Sequence, residues 1–241
     1  MNWMKKVAVA LVCLLPLGLQ AAKVDTLQVK SPSMNKSIEV VVVSPDMAAT
    51  EACPVIYLLH GYGGNARTWV GIKPDLPKIA DEKGIFFVCP DGKNTWYWDS
   101  PLNADVRYET FISDELVKYV DSHYKTVADR KGRAITGLSM GGHGAMWNGL
   151  RHSDVFSAAG STSGGVDIRP FPKNWEMSVQ IGEKAKYPEN WEKYTVINLV
   201  PTLRKDQIAL IFDCGDSDFF QELPRSVIKT RHRPRLYHSP G

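Results

Sequence analysis

The stretch Ala134-Ile135-Thr136-Gly137-Leu138-Ser139-Met140-Gly141-Gly142-His143-Gly144-Ala145 reads as a short apolar strand, a glycine-flanked serine and a helix that begins with small residues. G-x-S-x-G in that setting is a nucleophile elbow. A sharp strand-to-helix turn holds the serine in a strained backbone conformation, and a Cβ on either flank would collide with neighbouring chain. Gly137 and Gly141 remove those atoms, and Gly142 and Gly144 let the helix pack closely under the sheet. Ser139 is therefore expected at the top of the sheet, with a helix N-terminus beneath it that favours negative charge.

Working outward, two alternating runs before residue 44 read as a paired antiparallel edge: Leu27-Gln28-Val29-Lys30, and Ile38-Glu39-Val40-Val41-Val42-Val43. Pro54-Val55-Ile56-Tyr57-Leu58-Leu59 and Ile85-Phe86-Phe87-Val88-Cys89 are continuous apolar strands suited to burial on both faces, separated by a helix around 75–83. Residues 93–106 are a loop carrying Trp96, Tyr97 and Trp98, followed by a long amphipathic helix with Phe111, Leu116, Val117 and Val120 on one side. Residues 165–205 lack strand periodicity and read as an excursion with short helices over the active-site face. Ile208-Ala209-Leu210-Ile211-Phe212 then restores the sheet. Strands alternating with helices predict an α/β chain with a mostly parallel, doubly wound sheet.

The length of 241 residues suits one such domain. Residues 1–22 stand apart: Lys5 and Lys6 precede an apolar run from Val7 to Leu19 that ends at Gln20-Ala21-Ala22. This is the pattern of a secretory leader, too short for a comfortable membrane span, with cleavage expected after Ala21 or Ala22. A secreted or periplasmic domain over 23–222 with no stable membrane anchor follows, and then an atypical basic tail over 223–241. Of 29 Lys and Arg, Lys5 and Lys6 lie in the leader and five follow Glu222, leaving 22 against 26 Asp and Glu in the body. The basic balance belongs to the two ends, so no nucleic-acid partner is expected. After the leader only Cys53, Cys89 and Cys214 remain. Cys89 and Cys214 close apolar runs and read as buried thiols, and no pair has metal-ligand spacing. No metal or cofactor is expected.

Three features converge on the carboxyl ends of the parallel strands, where such sheets place their sites. Ser139 is the first. The second is His60-Gly61-Tyr62-Gly63-Gly64, a glycine-rich loop leaving a buried strand. The N–H groups of Tyr62 and Met140 would together form an oxyanion hole, each donor worth about 3 kcal/mol. His60 itself reads as a brace for the loop. The third is an acid among Asp213, Asp216 and Asp218, with Asp218 the first choice and Asp216 the second. Trp96 and Trp98 are candidates to stack on a sugar ring or aromatic acyl group, with ordinary loop packing as the alternative.

These motifs together resemble the esterase D-like family of α/β-hydrolases. The resemblance rests on Leu58-Leu59-His60-Gly61-Tyr62-Gly63-Gly64, on Gly137-Leu138-Ser139-Met140-Gly141-Gly142-His143-Gly144-Ala145 and on Asp213-Cys214-Gly215-Asp216-Ser217-Asp218-Phe219-Phe220. It runs from about residue 35 to 222. The family includes S-formylglutathione hydrolase, feruloyl and acetyl xylan esterases, and mycolyltransferases. It implies an α/β-hydrolase fold and acyl transfer from an ester to water through an acyl-serine. Ser139, Asp218, Tyr62 and Met140 take the parts of nucleophile, acid and oxyanion donors. Export favours polysaccharide esters over a cytosolic role.

The resemblance also implies a histidine in a loop like P-G-G-H, after one more strand and helix. Only His232 and His238 follow the acid, 14 and 20 residues after Asp218. His238 is the candidate base, and the fold is expected to lack its last strand and helix. The acid-free tail reads as a frameshift that replaces the natural end near Leu223. A catalytically impaired or glycan-binding relative is the rival expectation.

Overall fold

The computed structural model describes residues 22–214 of the chain. β1 (Lys23–Ser31) and β2 (Lys36–Ser44) pair antiparallel, with Val24 opposite Val43 and Val29 opposite Ile38. β2 continues antiparallel onto β4 (Phe86–Pro90). From there β4, β3 (Val55–Leu59), β5 (Arg133–Gly137), β6 (Ala158–Thr162) and β7 (Ala209–Asp213) run parallel. The spatial order is β1-β2-β4-β3-β5-β6-β7. The chain moves from β3 out to β4, then returns across β3 to β5 and on to β7. That reversal makes the gap between β3 and β5 the topological switch point, where sheets of this kind open a crevice.

Alternation along the strands divides the core into two layers. On one face Tyr57, Leu59, Val88 and Ile135 join Leu116 and Val120 of α4 (Leu116–His123) and Met146 and Trp147 of α5 (Met140–Arg151). On the other face Leu58, Phe87, Cys89 and Val41 meet Leu76 and Ala80 of α2 (Leu76–Lys83). A shorter helix, α1 (Thr68–Ile72), precedes α2. α2 stops at Gly84, which takes the left-handed conformation (φ 63°) and donates its N–H to Ala80.

The expected amphipathic helix begins at α3 (Tyr108–Thr110) and passes through a π-helical turn at Phe111–Glu115 into α4. Glu115, in that turn, accepts from Ser31 Oγ at 2.5 Å and Ser33 N–H at 2.7 Å, which ties the helix to the β1–β2 hairpin.

Residues 165–205 do carry short helices, α6 (Met177–Ile181), α7 (Pro188–Lys193) and a 3-10 segment at Val196–Thr202. Tyr194 stacks on Trp147 of α5 with centroids 5.0 Å apart, and its hydroxyl donates to Asp99 O at 2.7 Å. Ser100 Oγ donates to Gln180 O at 2.6 Å. The excursion is thereby clamped onto α5 and the tryptophan loop.

Cys53 and Cys89 are buried free thiols, and burial pushes the Cys89 thiol up; Cys214 is half-buried rather than enclosed. The leader, and the strand and helix expected to be missing after β7, fall outside the described residues. Among those described, no helix is long and apolar enough to cross a membrane.

Candidate active site

β5 delivers Leu138 and Ser139 to the start of α5, and the turn is strained as expected: Ser139 has φ 55° and ψ −116°. Three backbone bonds hold it there. The Leu138 N–H donates to Leu59 O at 3.2 Å, the Ser139 N–H to Thr162 O at 2.9 Å and the His143 N–H to Ser139 O at 3.0 Å. The elbow is thus joined to the ends of both flanking strands. A Cβ on Gly137 would overlap the Gly141 carbonyl, and one on Gly141 would overlap the Leu59 carbonyl and lie 2.6 Å from His60 O. Gly142 faces Ser161 Oγ and Gly164 at the end of β6. Gly144 differs from expectation, because the atom it makes room for is the Tyr97 ring and not the sheet. Met140 is the first residue of α5, a position whose N–H has no intrahelical acceptor.

The loop after β3 lies directly beside the nucleophile. A Cβ on Gly61 would stand 3.6 Å from Ser139 Cβ. The loop turns through a Gly64 N–H to Gly61 O bond of 3.0 Å, with Gly63 at φ 77°. His60 is buried beneath it and acts as the expected brace. Its Nδ1–H donates to Gly61 O at 2.8 Å, while Nε2 accepts from the Gly92 N–H at 2.9 Å. With that lone pair taken, Nε2 is no donor to Asp91 Oδ1 at 3.5 Å, and Lys93 at 2.6 Å is the partner of that carboxylate. Tyr97 OH donates to His60 O at 3.0 Å. Asn94 Oδ1 accepts from the Gly63 N–H at 2.9 Å.

Trp96 and Trp98 do not offer a face to substrate. They are 2% and 0% exposed and stack on each other with centroids 5.5 Å apart and planes 23° from parallel. His143 meets each ring edge-on at 5.2 Å. Trp96 Nε1–H donates to Trp175 O at 3.1 Å. The pair is a packed plate between α5 and the excursion, so the packing alternative holds. The aromatic rings nearer solvent on this face are Tyr62, which is exposed, and Trp175, which is half-buried against Phe171 and Trp96. Residues 165–205 gave no sequence signal that singled out Trp175.

None of the four described histidines is placed to take a proton from Ser139. His60 is committed at both ring nitrogens. His143 is also committed, donating from Nδ1 to Gly165 O at 2.7 Å and accepting from Trp98 Nε1 at 3.0 Å. Burial lowers its pKa to about 4, only partly offset by the Gly165 bond, and keeps it neutral. His152 follows the last turn of α5 and pairs with Glu109 at 2.8 Å. His123 ends α4, near the amino ends of the strands, where Thr126 bridges Cys53. Asp213 closes β7 and its carbonyl accepts from Ser163 N–H at 2.8 Å, one strand away from the elbow. Asp216, Asp218, His232 and His238 lie outside the described residues.

The family model described as "Putative esterase" matches residues 31–234. The chain belongs to that family. It is a member of the esterase D-like group, and its fold is that of an α/β-hydrolase. An esterase of Mycobacterium tuberculosis is 30% identical over 149 residues, covering 59% of this chain and 32% of the relative. The chain thus spans about a third of the length of that curated relative. A solved ferulic acid esterase is 28% identical, with a TM-score of 0.70 over 87% of this chain and 86% of its own. An S-formylglutathione hydrolase from Agrobacterium tumefaciens superposes with a TM-score of 0.72 at 22% identity, over 87% of this chain and 83% of its own, a likeness of fold.

Proposed function

We propose that the chain is a secreted serine esterase that cleaves acetyl or feruloyl esters of plant polysaccharides through an acyl-serine. The observation that carries this reading is the strained Ser139 at the switch point, with Gly61 against its Cβ and the unpaired start of α5 behind it. Ser139 Oγ attacks the ester carbonyl and His238 takes its proton, oriented by Asp218. The oxyanion forms against the N–H groups of Tyr62 and Met140. The alcohol leaves with the proton from His238, and water then releases the acid by the same steps in reverse. The leader pattern and the likeness to a ferulic acid esterase support the substrate class. Tyr62 and Trp175 replace Trp96 and Trp98 as the aromatic contacts for sugar or acyl group.

The second reading, a glycan-binding relative without turnover, is favoured by one observation. The histidines from 22 to 214 are all committed elsewhere or distant, so the whole burden of the base falls on His238 or His232. Loss of a serine-triad base costs about 10⁶ in turnover. Labelling by a fluorophosphonate, with hydrolysis of p-nitrophenyl acetate and of acetylated or feruloylated xylan, separates the two. Fast labelling abolished by Ser139→Ala and His238→Ala supports the triad. Labelling that survives His238→Ala removes His238 from it, and no labelling of the unsubstituted chain supports the binding protein.

A further inference from the structure

The loop that carries Tyr62 is exposed at its tip and includes three glycines, so little in its own sequence holds it still. His60 braces its base through Gly61 O, and its exposed tip is held from outside the loop. The Gly63 N–H donates to Asn94 Oδ1 at 2.9 Å, and Asn94 Nδ2 in turn donates to Glu176 Oε2 at 3.4 Å. The Asn94 amide therefore links the loop after β3 to the excursion at Glu176, 82 residues further along the chain. The Glu176 carboxylate also lies beside the Tyr62 hydroxyl; burial and then that carboxylate push the phenol above its ordinary value.

Backbone strain falls in the segments that make this link. Trp175 and Glu176 have φ 50° and 53°, and Trp96 and Tyr97 have φ 59° and 60°. None of these is glycine, and each such residue costs about 1–3 kcal/mol unless its surroundings enforce the conformation. The enforcing contacts are visible: Trp96 Nε1–H bonds Trp175 O, Tyr97 OH bonds His60 O, and the Trp96 and Trp98 rings lock around His143. Asn94 and Glu176 stand at the exposed end of this rigid assembly and touch the exposed tip of the glycine-rich loop.

We propose that Asn94 and Glu176 are positioning residues that fix the Gly61–Gly64 loop against Ser139, so that the excursion sets the geometry of the oxyanion hole. The inference rests on the reading of Tyr62 and Met140 as oxyanion donors. Neither side chain touches the reacting atoms; Asn94 acts through the Gly63 N–H, and Glu176 through Asn94 and the Tyr62 hydroxyl. A donor displaced by about 1 Å loses about tenfold to a hundredfold in rate while ground-state binding of a small ester hardly changes.

The test uses the full chain with Asn94→Ala, Glu176→Ala and Glu176→Gln, none of which removes buried apolar surface. Amide hydrogen exchange at Gly63 is followed by NMR, and kcat and KM are measured on p-nitrophenyl acetate. Asn94→Ala and Glu176→Ala are expected to speed Gly63 exchange about tenfold and to lower kcat at least tenfold, with KM within about twofold. Glu176→Gln, which keeps an acceptor oxygen, should recover most of both. Unchanged exchange in Asn94→Ala and Glu176→Ala overturns the proposal, and so does faster exchange with unchanged kcat. If the unsubstituted chain neither turns over nor labels, the esterase reading fails by itself. Gly63 exchange then still decides whether Asn94 and Glu176 hold the loop.

Discussion

The indole N–H of Trp98 donates to Nε2 of His143 at 3.0 Å, inside a contact between two fully buried rings. The bond fixes the imidazole as the neutral Nδ1–H tautomer, because the other nitrogen already donates to Gly165 O. A histidine one turn beyond the nucleophile is thus made a structural post, and its chemistry as a base is withdrawn. It holds the start of α5, the tryptophan loop and the segment after β6 together behind Ser139.

That arrangement has a pH signature. An unfolded histidine binds a proton near pH 6.5, whereas burial lowers His143 to about 4. Between those values the unfolded state holds more protons, so stability is flat above pH 6.5 and falls as pH drops towards 4. The full loss from this group is about 3 kcal/mol. Urea unfolding at pH 7.5, 6 and 5 should show the decline, with a shallower slope in His143→Gln. Equal slopes in the two proteins would show that His143 does not titrate as a buried neutral group.

Trp98→Phe removes the indole donor and leaves Nε2 of His143 buried without a partner. The expected cost is about 2–4 kcal/mol, combining an unsatisfied acceptor with lost ring volume. Thermal melting would register it as a clear fall in Tm. If Trp98 met substrate instead, the variant would keep its Tm and show a raised KM.

Two glycines near Ser139 should respond differently to one added methyl. Gly61→Ala places a Cβ 3.3 Å from Leu138 O and 3.6 Å from Ser139 Cβ, tight but tolerable for the fold. It crowds the approach to Oγ, so kcat/KM should fall about tenfold or more with Tm within a few degrees. Gly141→Ala drives a methyl into the carbonyls of Leu59 and His60, and the elbow must open. Destabilisation of about 3 kcal/mol or more is expected there. Paired melting curves and initial rates check both; equal losses of Tm would refute the distinction.

The strain at Ser139 should be recoverable as stability. At φ 55° and ψ −116° a residue with a Cβ is costly, by about 1–3 kcal/mol. Ser139→Gly releases that strain and adds unfolded-chain entropy of about 0.5–1 kcal/mol, leaving a net gain of about 1 kcal/mol. Ser139→Ala keeps the strain and should melt with the unsubstituted chain. Chemical denaturation of the three proteins gives the comparison, and a Ser139→Gly protein no more stable than Ser139→Ala would show the turn to be unstrained.

Much of this is legible in the sequence, for a local reason. Gly137 and Gly141 around Ser139 report a backbone that forbids a Cβ, and Gly61-Tyr62-Gly63-Gly64 after an apolar strand reports a loop that approaches another chain segment. Such constraints act within a few residues and leave their mark on residue type. The strands around Tyr57, Phe87 and Ile135 were legible for the same reason, since burial on both faces needs a continuous apolar run. Family membership followed from three such local marks in the right order.

Other features depended on which segments meet. Trp96-Tyr97-Trp98 has the composition of a sugar platform and of a packed plate alike. Only the arrival of α5 and the excursion on either side buries the rings, and an aromatic cluster gives no sign of what covers it. Gly144 looks like a sheet-packing glycine until the Tyr97 ring, 47 residues earlier in the chain, is placed against it. Asn94 and Glu176 are ordinary polar residues in ordinary loops; their relation to Gly63 exists only once the chain has closed around the switch point. The sequence by itself thus determined that Ser139 sits on an elbow beside a glycine-rich loop, because backbone sterics select residues locally. Tertiary structure decided what braces that elbow, and it committed the rings of His60 and His143 to their neighbours, because hydrogen-bond partners far apart in the chain are chosen by packing.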